Sequence, residues 1–515
     1  MTIGWKEPTR LCDIGRAQPG FSDRIALSEG KARLTYIELD RKIQAARSAY
    51  ADLGLSPGDR IVLLLPASIP FVITYLGAHR AGLVVIPLNP LLGPDEIGFI
   101  LATMRPAMVL ADAADAPFPV MAELDTIVAG IEGGTELVRV GGETGFEARM
   151  ARARPDLPTM ERADDDEALI LFTSGTSGRP KGASHREGAI ITNVRHSNTA
   201  FRITPYDVML CPLPLSHVFG QIVLMLGGLM AGAELVLIPR PAPETVFAAM
   251  TDHDASFLAA VPTTFAALAE QGRNHPVEAA AASRRLRFAL AGGAPLPPAT
   301  GEAFGQVFGV PVHQGYGMTE VACCIAIETP GAAPSGGVGP ICKPLDYRIV
   351  PVGDDNSDEG ELEIAGANLM RGYYIDGALQ LRPPERWFPT GDVVRRDDRG
   401  NIFIFDRKKE MVIRNGYNVY PSEVEAALAS HPAVLLAAVV GIEDSAVGQE
   451  IAAFVSLRED QSATATELAE WCRTRIALYK YPRLLAILPK LPTNPTGKIL
   501  KRALDPTLLQ RVDVH

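Results

Sequence analysis

Residues 61–65 (IVLLL) and 83–88 (LVVIPL) are almost wholly apolar, and a helical stretch at 70–81 separates them. Strands that are apolar on both faces must be covered on both, and a strand–helix–strand order joins them in parallel. The same grammar returns at 169–173 (LILFT), 208–213, 234–239, 256–261 and 287–291. The expected fold class is therefore α/β: a large N-terminal domain of parallel-rich sheets flanked by helices. Residues 35–53 add an amphipathic helix with a Thr start, which Gly54 and the Ser56–Pro57–Gly58–Asp59 turn bring to an end. No repeat of fixed period is found.

From about residue 336 the pattern changes. GELEIAG (360–366) and residues 387–413 are short alternating runs broken by Gly and Asp, which predicts a β-rich subdomain of antiparallel strands and hairpins. After Pro421 a smaller α+β unit is expected, with helices at 422–430 and 464–477 and strands at 434–441, 451–457 and 484–488. The charged stretch Asp406–Lys409 suits a hinge, so the expected division is 1–405, a hinge at 406–409, and 410–515. The longest apolar run, 221–238, is interrupted by Gly227, Gly228 and Glu234, and reads as a buried helix turning into a buried strand, not a membrane span.

Composition narrows function by exclusion. Lys and Arg total 49 against 60 Asp and Glu, a net charge of −11, which argues against a broad nucleic-acid surface. Cys12, Cys211, Cys323, Cys324, Cys342 and Cys472 show no CxxC pair and no metal spacing, so reduced thiols and a cytoplasmic location are expected. The first residues, MTIGWKEPTRLCDIG, lack the apolar core of a secretory signal.

Chemistry concentrates in TSGTSGRPKG (173–182), directly after a buried strand. Three glycines, four hydroxyls, Arg179 and Lys181 in ten residues can wrap phosphate oxygens with amides, hydroxyls and cations. It is not a Walker A loop, because Lys181 precedes Gly182 and the glycine spacing differs. YGMTE (316–320), PTGD (389–392), FDRKKEMVIRNGYNVYP (405–421) and PTNPTGKILKR (492–502) come after it in order. Together these segments resemble the adenylate-forming superfamily, which includes acyl-CoA synthetases, peptide-synthetase adenylation domains and luciferases. The likeness covers essentially the whole chain and is strongest to the acyl-CoA synthetase, or fatty-acid–CoA ligase, family.

The resemblance implies roles residue by residue. Thr173, Ser174, Gly175, Thr176, Ser177, Gly178 and Lys181 would hold the phosphates of ATP. Glu320, with Thr173, would hold Mg²⁺. Tyr316, Gly317 and Thr319, with Gly292, Gly293 and Ala294 of AGGAPL, would contact the nucleotide, and Asp392 and Arg407 its ribose. Lys498 would be the catalytic lysine of adenylation, because bringing two anions together requires added positive charge. Lys409 would be the hinge of a mobile C-terminal domain, and Gly416, Tyr417 and Asn418 would approach the thiol tunnel.

His217 of PLSHVFG resembles the histidine at the mouth of the acyl pocket. Val218, Gly315, Met318, Val321 and Ala322 complete the expected apolar pocket. Residues 215–220 carry no carboxylate for an α-amino group, and position 315 is Gly where a second substrate carboxylate would want Arg. The implied activity is ATP-dependent formation of an acyl-adenylate, then of a CoA thioester, with a medium- or long-chain fatty acid as the first expectation. An aryl acid and a carrier-protein phosphopantetheine remain open alternatives, as does a homodimer.

Overall fold

The computed structural model describes residues 4–142, 145–152, 154, 157–173, 179–352, 359–383, 386–415, 417–493 and 499–512. The chain divides into two compact units, Met1–Leu345 with Gly366–Glu385, and Asp346–Ala365 with Arg386–His515.

Among the described residues the first unit holds two eight-stranded sheets. One runs, edge to edge, Cys323–Ile327, Val312–Met318, Phe288–Ala291, Phe257–Ala260, Val208–Cys211, Glu234–Leu237, Ile25–Glu29, Ala32–Thr35. Its six inner strands are parallel and its two edge strands antiparallel to their neighbours. The other runs Ala378–Leu381, Gly372–Ile375, Lys181–Arg186, Glu167–Thr173, Val84–Pro87, Arg60–Leu64, Met108–Ala111, Glu136–Arg139. Here five strands are parallel, and the first three form an antiparallel addition at one edge. The strands Arg60–Leu64, Val84–Pro87, Met108–Ala111, Val208–Cys211, Phe257–Ala260 and Phe288–Ala291 are buried at every residue but Arg60, which is why they read as unbroken apolar runs.

The helices form where expected, for local reasons. Tyr36–Asp52 starts at a capping box in which the Thr35 hydroxyl accepts from Glu38 N and the Glu38 carboxylate accepts from Thr35 N. The long apolar run resolves into a π-helix, Phe219–Leu226, a helical turn, Gly227–Ala231, and the strand Glu234–Leu237. Every residue from Phe219 to Ala231 is buried. Among the described residues no helix is long and apolar enough to cross a membrane.

The second unit contains an antiparallel sheet in the order Asp346–Pro351, Glu359–Ala365, Phe388–Arg396, Ile402–Arg407. A second sheet runs Tyr417–Val419, Val412–Arg414, Gly448–Leu457, Leu484–Ile487, Gln510–Arg511, with Val434–Asp444 also paired to Gly448–Leu457. Helices Pro421–Ala429 and Ala465–Arg473 bury Val424, Leu428, Leu468 and Cys472 against it.

Two differences from expectation stand out. The helix expected to reach residue 477 ends at Arg473. The Cys472 carbonyl accepts from both Arg475 N and Ile476 N as the helix closes, and Ile476, Tyr479 and Tyr481 continue the apolar pattern from an irregular turn. The antiparallel sheet of residues 346–407 groups with the C-terminal residues, so the expected hinge at 406–409 lies inside the second unit. Asp406 Oδ2 accepts from Ser422 N (2.8 Å), which ties the last strand of that sheet to the helix Pro421–Ala429.

Candidate active site

The described ends of the expected phosphate loop lie on adjacent antiparallel strands. Thr173, the last residue of Glu167–Thr173, pairs across the strands with Lys181, the first of Lys181–Arg186. Gly182 lets the strands close, since a Cβ there would sit 2.9 Å from Ile170 Cγ2 and 3.1 Å from Phe172 Cζ. Beyond these strands, Gly372–Ile375 pairs Tyr373 with Ala183 and Tyr374 with Gly182. The Lys181 ammonium lies 5.8 Å from the centre of the Tyr373 ring, and the Tyr373 hydroxyl donates to Glu320 Oε1. Lys181 and Glu320, far apart in sequence, are thus brought to one side chain, Tyr373, a residue that no sequence motif singled out.

Glu320 sits on a sharp turn. Tyr316, Gly317 and Met318 lie at the end of Val312–Met318, which pairs with Cys323–Ile327 across a bulge at Tyr316/Gly317. A Cβ on Gly317 would lie 1.7 Å from the Cys323 carbonyl oxygen, so only Gly fits. Thr319–Val321 makes one 3₁₀ turn, and Ala322 (φ +55°) and Cys323 (φ +115°) then take left-handed backbone. Hydrogen bonds hold this turn: Asn193 Nδ2 donates to the Val321 carbonyl (3.1 Å), and Met370 N to the Glu320 carbonyl (2.8 Å). His185, fully buried with its pKa pushed down by burial to about 4, faces the Thr319 backbone. Val321 and Ala322, expected to line the acyl pocket, are fully buried, so they form packed wall and present no open surface.

The residues expected on the acyl side and those expected on the nucleotide side lie at the carboxyl ends of parallel strands, where open α/β sheets take ligands. Phe219 follows His217 and Val218 and lies against Gly292, where a Cβ would be 2.9 Å from the ring. Gly293 has φ +82°, and Leu296 N donates to Gln314 Oε1 (3.2 Å), which ties the loop holding Ala294 to the strand carrying Gly315 and Tyr316. Half-buried His217 accepts from Phe219 N at Nδ1 (3.3 Å). Burial lowers its pKa, and both effects favour a neutral ring with the proton on Nε2.

The remaining candidates belong to the second unit. Asp392 and Arg407 are cross-strand partners joined by an ion pair, Nε to Oδ1 3.1 Å, with the carboxylate buried and the guanidinium about two-fifths exposed. Gly391 (φ +76°) accepts from Lys408 N at its carbonyl (2.8 Å) and closes the segment. Lys409 is exposed in the turn after Arg407, whose carbonyl accepts from both Glu410 N and Met411 N. Tyr417 is exposed and stacked on Tyr479, 4.7 Å between centroids, and Asn418 lies in the strand Tyr417–Val419. Ser174, Gly175, Thr176, Ser177, Gly178, Gly416 and Lys498 lie outside the described residues.

A lysine and a carboxylate held on one tyrosine, a Gly-closed turn, and loops at the carboxyl ends of parallel strands suit an α/β enzyme with a phosphorylated ligand. The pattern of the family described as "AMP-binding enzyme" matches residues 15–374, and that of its C-terminal domain matches residues 423–498. The chain belongs to this family and is an AMP-forming acid–thiol ligase. It is 31% identical over 481 residues to a long-chain-fatty-acid–CoA ligase, FadD13, of Mycobacterium tuberculosis, covering 92% of each chain. It is 32% identical over 484 residues to a feruloyl-CoA synthase of Amycolatopsis sp, covering 92% of this chain and 94% of that one. The crystal structure of ATP-bound MatB from Rhodopseudomonas palustris superposes with a TM-score of 0.85 at 26% identity, over 96% of this chain and 97% of that one.

Proposed function

We propose that this ligase activates an uncharged-tail carboxylic acid, first a medium- or long-chain fatty acid, as its acyl-adenylate and transfers it to coenzyme A. The observation that supports the acid class is the uncharged segment Leu213–Phe219, which ends with the Phe219 ring against Gly292. It holds no Asp, Glu, Lys or Arg, and its one histidine, His217, is held neutral. A tail bearing an ammonium or a second carboxylate would lose its hydration there without gaining a partner. The fatty-acid relative supports this reading. The feruloyl-CoA relative, with the flat Phe219 ring lying on Gly292, supports an aryl acid as the second reading.

In the first half-reaction the acid's carboxylate oxygen attacks the α-phosphorus of ATP, and pyrophosphate leaves. Thr173, Lys181 and residues 174–178 bind the departing phosphates. The Tyr316 ring lies against adenine beside Gly292, Gly293 and Ala294, with Gly317 and Thr319 closing on the phosphates. Asp392 accepts from the ribose hydroxyls, with Arg407 beside it. Lys498 balances the charge where the two anions meet. The donor set suits Mg²⁺, because one carboxylate, Glu320, with phosphate oxygens is the usual environment of that ion and no group of three ligating side chains occurs among the described residues. Bound there, Mg²⁺ would neutralise developing phosphate charge. In the second half-reaction the thiol of CoA attacks the acyl carbonyl and AMP leaves. Lys409 is the hinge between the two steps, and Gly416, Tyr417 and Asn418 line the thiol's approach.

The test is pyrophosphate release from ATP and Mg²⁺ across short to long fatty acids, benzoates, cinnamates and malonate, with and without CoA, products being identified by mass spectrometry. AMP and an acyl-CoA from fatty acids of one length class are expected. Turnover confined to cinnamates or benzoates would move the assignment to aryl acids. An adenylate that accumulates and ignores CoA would move it to a carrier protein, and turnover of malonate alone would overturn the uncharged-tail reading.

A further inference from the structure

We propose that Tyr373 is the positioning residue of the metal–triphosphate end of the site, holding Glu320 through its hydroxyl and Lys181 through its ring. The inference rests on the ligase reading above. Its starting point is that one side chain reaches both charged groups. The hydroxyl donates to Glu320 Oε1, and the Lys181 ammonium lies 5.8 Å from the ring centre, within reach of the ring's negative face.

This arrangement keeps two opposite charges available. Lys181 and Glu320 set face to face would pair, and each would spend its charge on the other. Tyr373 stands between them, and no ion pair joins them among the described residues. A ring face orients an ammonium without neutralising it, and a phenol orients a carboxylate without protonating it. With Oε1 held by the hydroxyl, Oε2 is the oxygen that turns to a hard cation, while Lys181 keeps its charge for phosphate.

The competing explanation is that Tyr373 only ties a strand to a turn. That tie already exists without the Tyr373 side chain. Met370 N donates to the Glu320 carbonyl (2.8 Å), Arg371 N to the Ser184 carbonyl (2.8 Å), and Asn368 Nδ2 to the Val321 carbonyl (3.4 Å). The register Tyr373 to Ala183 fixes the strand independently of the side chain. The neighbouring Tyr374 offers the contrast. Its hydroxyl accepts from Arg60 Nη2 (2.7 Å) and donates to Glu167 (3.0 Å), in a network that faces away from Glu320.

The experiment compares Tyr373→Phe with Tyr374→Phe in the full-length protein. Three quantities are read: the Mg²⁺ concentration for half-maximal acid-dependent ATP–pyrophosphate exchange, the Kd of ATP by calorimetry with Mg²⁺ and with EDTA, and Mn²⁺ retention in the ATP complex by electron paramagnetic resonance. Tyr373→Phe is expected to raise the Mg²⁺ requirement and weaken Mn²⁺ retention by about tenfold, the usual cost of losing a hydrogen bond to a charged group. It should leave metal-free ATP affinity unchanged, because the ring still faces Lys181. Tyr373→Leu should weaken metal-free ATP as well. Tyr374→Phe should lower thermal stability without moving any metal readout. A Tyr373→Phe protein with wild-type Mn²⁺ retention and Mg²⁺ requirement would overturn the proposal, as would Tyr374→Phe shifting them equally. If the wild type shows no exchange with any acid, the ligase reading fails alone, and Mn²⁺ retention still decides the role of Tyr373.

Discussion

Glu187 shows how one buried residue couples the first unit's packing to pH. Its Oε1 accepts from Leu11 N (2.8 Å), which fastens the N-terminal segment to the start of the helix Glu187–Phe201. Burial raises its pKa from the ordinary 4.5 to about 6, and the Leu11 amide, Arg162 and Arg10 only partly offset this. A carboxyl with a raised folded-state pKa binds its proton more tightly when folded. Its contribution is therefore full below pH 4.5, decays as pH rises through 6, and is gone above that. Glu187→Gln keeps an oxygen for Leu11 N but does not titrate. The variant should therefore gain on the wild type by about 2 kcal/mol between pH 4 and pH 7. The check is the difference in melting temperature between the two proteins as a function of pH, and a difference independent of pH would refute it. Residues with this kind of role were not legible beforehand. Nothing in the sequence around Glu187 points to its partner, Leu11, which is 176 positions away. Tyr373 is the same case, since its significance lies in Lys181 and Glu320, which only the fold brings to it. Lys181 and Glu320 were candidates from the sequence alone because they lie in short local patterns of the kind that phosphate chemistry uses.

At the scale of elements, legibility followed burial. Strands such as Arg60–Leu64 and Phe257–Ala260 are covered on both faces and read directly as apolar runs. Lys181–Arg186, KGASHR, has no such signature. It is a strand because Glu167–Thr173 and Gly372–Ile375 pair with it on either side. The π-helix Phe219–Leu226 was equally hidden, because an all-apolar stretch carries no periodicity to distinguish one helix type from another. The helix Pro421–Ala429 illustrates a cap borrowed over distance. Its N-cap residue, Tyr420, makes no side-chain cap bond, and Asp406 supplies the carboxylate, accepting from Ser422 N at Oδ2 and from Arg407 N at Oδ1 (2.7 Å). Burial raises the Asp406 pKa, and those two amides with Lys501 hold the rise in check. Asp406→Ala should cost about 1 kcal/mol. Asp406→Asn, which still accepts one hydrogen bond, should recover part of it. Hydrogen exchange at Ser422–Val424 is the measurement. Protection unchanged in Asp406→Ala would show that the helix start does not depend on this carboxylate.

At the scale of the whole molecule, the chain order and the compact units differ. Residues 346–365 belong with the C-terminal unit, while 366–385, which carry Tyr373, return to the first. Reading along the chain cannot reveal such an exchange, because a strand's partners are fixed by sheet pairing, not by proximity in sequence. This also locates the proposed hinge with more consequence. Lys409 is exposed in the turn between Ile402–Arg407 and Val412–Arg414, so a rotation there would part the sheet of residues 346–407 from the sheet that begins at Val412, within one compact unit. The lysine's side chain and the turn's freedom to change dihedral angles are separable. Lys409→Ala removes the side chain with its charge and contacts but leaves the backbone free to turn, and should leave both half-reactions near wild type. Lys409→Pro fixes φ near −65° and should leave acid-dependent pyrophosphate exchange largely intact while slowing CoA thioester formation at least about tenfold. Single-turnover assays of the two half-reactions, the second started from supplied acyl-adenylate, measure this directly. If Lys409→Pro slows both steps alike, the turn supports the fold and does not act as a hinge. If Lys409→Ala slows thioester formation as much as Lys409→Pro, the side chain of Lys409, not rotation about it, is what the second step uses.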